Sequence, residues 1–392
     1  MSRPIQMLLF LLFFSAVLSA FHWYIWYRLI HTPLQGTPWK PVATALLAAA
    51  GLSIPLTMIF GHSADPRIMS VLAWPGMVWL GAMMLFLFAL LLLDAARGIF
   101  FLGTRLHLIT PPDDARRLFM ERIAAIGVTG VVAVLTIAAV VQAARPAQVI
   151  RHTVALSKFP AALSGFTIAQ ISDIHVGLTV TGRELRHIVQ QVNDLKPDVI
   201  VITGDLVDGT VDRLRDEVEP LRKLRAPHGV FFSTGNHEYY SDEPRWVRHL
   251  TAMGIRVLAN DSAAIGRGED TFLLAGVNDV QAARMTQDRG PDVAGALKER
   301  SPGQEVVLLS HQPKLAAEAA AHDVGLMLSG HTHGGQIWPF SMLVALDQPC
   351  NRGFCRFGAR TIVYVNQGTG LWGPPMRLGT TGEISLLTLR RE

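Results

Sequence analysis

Five short segments of the chain place metal-binding side chains directly after a run of apolar residues. The segments are Ser172-Asp173-Ile174-His175, Gly204-Asp205-Leu206-Val207-Asp208, Thr234-Gly235-Asn236-His237-Glu238, Ser310-His311-Gln312 and Ser329-Gly330-His331-Thr332-His333. Carboxylate and amide oxygens and imidazole nitrogens are ligands that divalent transition metals accept. The pattern therefore predicts a metal centre built from all five segments.

Each segment alone also has an ordinary structural explanation. A single Asp or Asn after a strand is commonly a turn residue or a helix cap, and a single His is commonly structural. Capping does not account for five separate strand ends with such side chains. Gly204, Gly235 and Gly330 directly precede predicted ligands, where a sharp turn or a close backbone approach favours a residue without Cβ.

The elements that must position these segments are strands of an α/β fold. After about residue 150, short β-branched runs alternate with amphipathic helical stretches. The runs before the five segments cover 166–171, 198–203, 230–233, 305–309 and 324–328. Because ligands in open α/β sheets bind beyond the carboxyl ends of the strands, we expect the five segments to converge.

Such a centre suits the hydrolysis of a phosphoester. Two metal ions about 3.5–4 Å apart neutralise phosphoryl oxygens and lower the pKa of a water toward neutrality. Cys350 and Cys355 are the only cysteines, which excludes a cysteine-rich zinc site. The oxygen and imidazole ligands favour two divalent transition metal ions from the set Mn, Fe, Zn and Ni.

The order D-x-H, G-D-x-x-D, G-N-H-E, H and G-H-x-H resembles the calcineurin-like metallophosphoesterase superfamily, over residues 165 to 390. The extended form G-H-T-H-G-G-Q, with apolar segments ahead of it, is similar to the membrane-associated bacterial branch. The resemblance implies a four-layer α/β/β/α sandwich over 151–392. It also implies a phosphomonoesterase or phosphodiesterase, and members of that branch that act on phospholipids or lipid precursors extend this expectation to a lipid substrate.

The resemblance implies two metal sites that share one carboxylate, that of Asp205. The first site takes Asp173, His175, Asp205 and His333, and the second takes Asp205, Asn236, His311 and His331. His237 is implied as a catalytic residue that reaches the substrate phosphate and stabilises its charge or protonates the leaving oxygen. Asp208 and Glu238 match positions that support the site.

Two features after the last motif are open to more than one interpretation. The stretch 368–377 is expected to line the site, with Arg377 either a second phosphate contact or a surface arginine. Cys350 and Cys355 form either a disulfide or two free thiols.

The residues before 150 predict a membrane domain. Hydrophobic residues make up 50% of the chain and its mean hydropathy is +0.30, and the apolar excess lies in four segments. These predict four transmembrane helices at about 5–27, 42–60, 71–93 and 123–144. A cleaved signal peptide is the alternative for the first segment.

Basic residues near the four predicted spans indicate an orientation. Two loops on one side carry Arg28, Lys40, Arg97, Arg105, Arg116, Arg117 and Arg122, and the other side carries Arg3, Arg67, Arg145, Arg151 and Lys158. Seven basic residues against five place the loops in the cytoplasm and the phosphoesterase domain on the non-cytoplasmic side of a bacterial inner membrane.

The expected partners are the lipid bilayer and a phosphoester substrate. The net charge is only +4 and the chain lacks a dense basic tract, so nucleic acid is not an expected substrate. The alternative function is a non-enzymatic membrane receptor or transporter subunit with a metal-binding domain. The predicted spans contain no acid or base that would mark a transport path.

Overall fold

The fold is described from a computed structural model of the chain. It describes residues 3–60, 66–286 and 290–392, with only the backbone described at 3, 4, 6–8, 10, 11, 60 and 66–72. The chain divides into two compact units, Met1–Val141 and Gln142–Glu392.

The N-terminal unit consists of long helices. They are α1 Arg3–Trp26, α2 Trp39–Phe60, α3 Pro66–Arg105 and α4 Asp114–Ala143. Their apolar residues are spread around the helix rather than confined to one face, a distribution typical of helices in lipid. In the described part of the chain, three segments are long and apolar enough to cross a membrane by length and composition: Trp39–Ile59, Ala73–Arg105 and Asp114–Ala143.

Among the described residues the number of such helices is therefore three, not the four predicted. The first predicted segment, 5–27, coincides with α1, but part of it lies outside the residues whose side chains are described. The predicted end of the third segment, at residue 93, is also too early, because α3 continues to Arg105. Just past the apolar run, the Asp94 carboxylate of this helix accepts hydrogen bonds from Arg28 at 2.6 Å and Arg97 at 3.2 Å.

Two six-stranded mixed sheets form the C-terminal unit. The first sheet has the order β1 Gln148–Leu156, β12 Glu383–Arg391, β2 Phe166–Ile171, β3 Val199–Thr203, β4 Val230–Ser233 and β5 Arg256–Val257. The second has the order β10 Gly353–Phe357, β11 Thr361–Val365, β9 Leu326–Ser329, β8 Val306–Leu309, β7 Asp270–Gly276 and β6 Asp261–Arg267. The prediction of an α/β fold is confirmed.

The central strands of both sheets run parallel. β2, β3, β4 and β5 are parallel neighbours, as are β7, β8, β9 and β11. β12 is antiparallel to β2, while β6 and β10 are antiparallel edge strands of the second sheet. All five strands that precede the metal-binding segments therefore belong to parallel sets, and their carboxyl ends lie at one edge of each sheet.

Helices connect these strands. They are α5 Gly182–Asp194, α6 Val211–Val218, α7 Asn236–Tyr240, α8 Glu243–Ala252, α9 Ala282–Met285, α10 Val293–Ala296, α11 Ala316–Ala321 and α12 Phe340–Asp347. Short 3-10 and π turns complete the described connections.

The core results from the alternation of side chains along buried strands. Ile200 and Ile202 of β3 pack against α5, α6 and α8, while Val199 and Val201 pack against the second sheet. Strand β8 alternates in the same way between the first sheet and α11. The sheets are thus packed face to face with helices outside them, and rigid strands carry the loops of the site.

Candidate metal centre

The five predicted segments meet beyond the carboxyl ends of strands from both sheets. The Asp205 carboxylate, after β3, lies 3.1 Å from His311 Nε2, after β8 in the other sheet. The Asp173 carboxylate, after β2, lies 3.5 Å from His333 Nε2, after β9. The convergence expected from the order of the motifs is therefore present in the fold.

Two groups of predicted ligands have the spacing that a metal ion requires, and His175, Asp208 and His237 form a third group with the same spacing. Asp173, His175 and His333 form one group, and Asp205, His311 and His331 form the other, with ligand atoms within 4.8 Å of one another in each. Asp205 Oδ2 also lies 3.8 Å from His175 Nε2, which puts this carboxylate between the two groups. This geometry suits a carboxylate shared by two ions.

Backbone strain is concentrated at these residues. Asp173, His175, Asp205, His331 and His333 have φ between 49° and 68°, the left-handed region that side chains with a Cβ rarely adopt. They account for five of the eleven positive-φ residues other than glycine in the described part of the chain. Such strain persists only where surrounding contacts over-determine it, and it clusters at functional sites.

Glycines allow the loops to approach this closely. A Cβ at Gly330 would lie 2.0 Å from Ser172 Oγ and 2.1 Å from the Asp173 carboxylate. A Cβ at Gly235 would lie 2.2 Å from Asp205 Oδ1. At both positions a side chain would displace a carboxylate of the cluster.

The ionisable groups of the cluster shift one another's pKa values. Burial alone would raise the pKa of Asp205, but the imidazole of His311 holds it well below its usual range. Burial, with the nearby His311, lowers the pKa of His331 to about 3. An ionised carboxylate and a neutral imidazole are the protonation states that coordinate a metal. Burial lowers the pKa of His311, but the Asp205 carboxylate raises it well above its usual value, so a metal ion at this imidazole would have to displace its proton.

Asn236 gives the most direct sign that the site fits a metal. Its side chain is 6% exposed, and its Oδ1 atom has no hydrogen-bond partner among the described residues. A buried polar oxygen without a partner costs free energy that a bound cation would offset. The residues present, carboxylates, imidazoles and one amide oxygen, form a donor set for divalent transition metals.

Asp208 contacts two histidines at once. Its Oδ1 atom lies 2.6 Å from His237 Nδ1 and 2.9 Å from His175 Nδ1. This directs the Nε2 atom of each imidazole toward the cluster, and His237 Nε2 lies 3.9 Å from Asp205 Oδ2. The His237 side chain is 17% exposed, whereas His175 is 1% exposed, so only His237 presents its ring to solvent.

Glu238 ties two of the loops together. Its buried carboxylate accepts hydrogen bonds from the backbone N–H groups of Asp205 at 3.0 Å, Leu206 at 2.8 Å and Gly235 at 2.7 Å. Glu238 therefore holds the loop after β3 against the loop after β4 and does not point at the cluster.

Of the two interpretations of Arg377, the surface arginine is wrong and the phosphate contact stays a prediction. Arg377 is 1% exposed, so it is not a surface arginine. Its two Nη atoms donate to the carbonyl oxygens of Gln367, Gly368 and Gly370. These bonds brace the loop after β11, while the buried Nε atom of Arg377 has no hydrogen-bond partner among the described residues.

Tyr240 and Ser172 lie at the site but did not stand out in the sequence. The Tyr240 ring is centred 5.3 Å from the His237 imidazole, and Ser172 Oγ donates to the Asp173 carboxylate at 2.5 Å. Ser172 directly precedes a predicted ligand, and Tyr240 follows His237 by three positions on α7. Their closeness in sequence to Asp173 and His237 is the signal that could have identified them.

The two cysteines are paired. Cys350 and Cys355 form a disulfide that closes the segment between α12 and β10. Of the two alternatives, the structure contains the disulfide.

Comparison with known proteins identifies a family and several relatives named as metallophosphoesterases. Residues 166–335 match the profile of the family described as calcineurin-like phosphoesterase. A transmembrane protein with metallophosphoesterase domain from Danio rerio is 35% identical over 399 residues, covering 97% of this chain and 89% of that protein. An uncharacterized metallophosphoesterase from Helicobacter pylori is 38% identical over 223 residues, covering 57% of this chain and 59% of that protein. A dimetal phosphatase structure from Danio rerio has a TM-score of 0.33 at 15% identity and covers 52% of this chain and 88% of that chain.

Gly330→Ala is expected to lower the metal content of the purified full chain to less than about half of the wild-type value, because the added Cβ displaces the Asp173 carboxylate. Elemental analysis of bound Mn, Fe, Zn and Ni per chain measures this. Gly127→Ala is the matched control, since a Cβ there meets no atom within 4 Å. Equal metal content in both variants would contradict the close approach of Gly330 to the Asp173 carboxylate.

Proposed function

This chain belongs to the calcineurin-like phosphoesterase family and is a metal-dependent phosphoester hydrolase, and we propose that its two groups of buried side chains hold two divalent metal ions for that reaction. The observation that supports this most directly is the position of the Asp205 carboxylate between the groups. It lies 3.1 Å from His311 Nε2 and 3.8 Å from His175 Nε2. When bound, two such ions neutralise phosphoryl oxygens and lower the pKa of a water, so that hydroxide is available to attack the phosphorus.

The proposed ligands are those at the strand ends. Asp173, His175, Asp205 and His333 hold one ion, and Asp205, Asn236, His311 and His331 hold the other. Two residues outside this set contribute hydrogen bonds. Asp208 keeps the His175 and His237 rings oriented through their Nδ1 atoms, and Glu238 fixes the loop that carries Asp205.

His237 is the proposed catalytic residue. Its ring is the accessible one of the pair that Asp208 holds, and its Nε2 atom points toward the cluster. With Nδ1 facing the Asp208 carboxylate, Nε2 is free to hydrogen-bond a phosphoryl oxygen or to transfer a proton to the leaving oxygen. No observation favours a non-enzymatic receptor or transporter subunit, since every position at which a ligand is predicted carries a residue able to bind a metal.

Two variants of the full chain distinguish a metal ligand from a catalytic residue. Asp205→Asn is expected to lose bound metal together with hydrolysis of bis-p-nitrophenyl phosphate, because both ions depend on one carboxylate. His237→Ala is expected to keep its metal and to lose about 10²- to 10⁴-fold in kcat, the typical contribution of a proton-transferring side chain. Metal content and kcat are measured on the same preparations.

Two further variants control this comparison. Asp208→Asn is expected to lose about 10- to 100-fold in kcat, as loss of a hydrogen-bonded support usually does. His187→Ala removes an exposed imidazole from α5 and is expected to behave as wild type. Full activity in both Asp205→Asn and His237→Ala would contradict the assignment.

We further propose that the phosphoester is part of a membrane lipid or lipid precursor. The support is that one chain joins the site to three helices long and apolar enough to cross a membrane, and that its Danio rerio relative is named a transmembrane protein. Residues 1–150 would hold the protein in the bilayer, and 151–392 would carry out the hydrolysis.

Incubation of the metal-loaded full chain with total membrane lipid is expected to remove a phosphate or a headgroup from one lipid class, as mass spectrometry would detect. The His237→Ala chain serves as the control. A protein that hydrolyses bis-p-nitrophenyl phosphate and leaves every lipid class unchanged would contradict a lipid substrate while leaving the phosphoesterase activity in place.

For the location of the protein, we propose a bacterial inner membrane with the C-terminal unit on the non-cytoplasmic side. The basic residues support this orientation. The disulfide between Cys350 and Cys355 supports it as well, because disulfides persist in oxidising compartments and are rare in the cytoplasm. Assignment to a membrane-associated bacterial branch of the family stays a prediction.

An export-dependent phosphatase reporter fused after Glu392 is expected to be active. The same reporter fused at residue 110, in the connection between α3 and α4, is expected to be inactive because one span separates the two positions. The opposite pattern of activities would overturn the proposed orientation.

A further inference from the structure

Exposed apolar side chains lie in the connections at the edge of the sheets that carries the proposed catalytic site. We define the apolar rim as Tyr240, Trp338, Met342, Leu343, Leu346 and Trp372, which are between 47% and 85% exposed. Among the described residues of 142–392, eight large hydrophobic side chains are exposed, and seven of them lie in connections that come after β4, β7, β9 or β11. The exposed apolar surface of this unit is therefore concentrated at the edge that carries the site.

The rim is in contact with the catalytic residue. Rings of Tyr240 and Trp372 are centred 5.3 Å and 6.2 Å from the His237 imidazole. The Gln336 side chain donates to the Trp372 carbonyl at 2.8 Å and accepts from the Trp372 N–H at 3.0 Å. The segment that leads into α12 and the loop that carries Trp372 are thus joined beside the site.

Helix α12 is held at both ends although none of its residues is buried. At its start, the backbone of Ser341 packs on Gly335, where a Cβ would lie 2.2 Å from the Ser341 Cα atom. Beyond its end, the side chain of Asn351 donates to the Ser341 carbonyl at 3.2 Å, and Cys350 is buried within the disulfide. The helix therefore presents its apolar side chains in a defined position.

We propose that the apolar rim docks on the lipid bilayer to which the same chain is anchored. Its combination of tryptophan with exposed leucine and methionine is that of segments that lie in a membrane interface. Only four residues separate Ala143, at the end of α4, from Gln148, at the start of β1. Such a connection spans at most about 18 Å, so the unit that carries the rim cannot move far from a bilayer that α4 crosses.

Docking of the rim would determine how substrate reaches the site. This consequence rests on the proposed function. A phosphoester at the level of the lipid headgroups would meet His237 without leaving the membrane, while its acyl chains remained among the apolar side chains of the rim. The substrate class that fits this arrangement is an amphiphile with its phosphoester at the bilayer surface.

Photo-crosslinking of the full chain in nanodiscs of phosphatidylcholine and phosphatidylglycerol tests the docking. The probe is p-benzoyl-phenylalanine at position 346, the most exposed position of the rim at 85%. Its matched control is the same probe in place of Glu299, an exposed residue before β8 and thus at the opposite end of the strands. Lipid adducts, measured by mass spectrometry, are expected to be at least about tenfold more abundant at 346.

Leu343→Asp combined with the probe at 346 is expected to reduce the lipid adducts at least about tenfold, because a charge on the rim opposes insertion. Equal adduct yields at 346 and 299, no effect of Leu343→Asp, or crosslinks between two copies of the chain in place of lipid adducts would overturn the proposal.

Hydrolysis of bis-p-nitrophenyl phosphate by the chain that carries the probe at 346 separates this inference from the proposed function. Lipid adducts without hydrolysis would support docking and overturn the function. Hydrolysis without lipid adducts would support the function and overturn docking.

Discussion

The structure depends on bringing each of five loops to a buried place where its ionisable side chains lie within about 4 Å of a side chain from another loop. The Asp205 carboxylate is at the centre of this arrangement, 3.1 Å from His311 and 3.8 Å from His175. Its loop reaches that position because Gly204 and Gly235 have no Cβ and because Glu238 accepts three backbone N–H groups. The strained φ angles at the predicted ligands are a further cost of this convergence, and the rigid parallel strands behind them sustain it.

The sequence was enough to predict the elements that obey local rules. Buried parallel strands are continuous apolar runs, and the residues directly after such strands must lie at one edge of a sheet. The positions of Asp173, Asp205 and His311 could therefore be inferred. Arg377 could not be placed in this way. Its burial and its bonds to the carbonyls of 367, 368 and 370 depend on how the loop after β11 folds back, which local composition does not indicate.

Contacts distant in sequence explain the other differences. In helix α3, which extends to Arg105, Asp94 pairs with Arg28, 66 positions away along the chain. Helix α12 has the composition of a buried segment, yet anchors at Gly335 and Cys350 hold it on the surface beside the site. The proposed docking of the exposed rim would bring the metal-binding unit to the membrane surface.

The central claim is that the five loops hold two metal ions that share Asp205. Anomalous X-ray scattering from crystals of the full chain, recorded at the absorption edges of Mn, Fe, Ni and Zn, tests it most directly. The account predicts two peaks about 3.5–4 Å apart, one on either side of the Asp205 carboxylate. Metal-loaded crystals with no peak at Asp205, or with a single peak away from the His175 and His311 imidazoles, would contradict it.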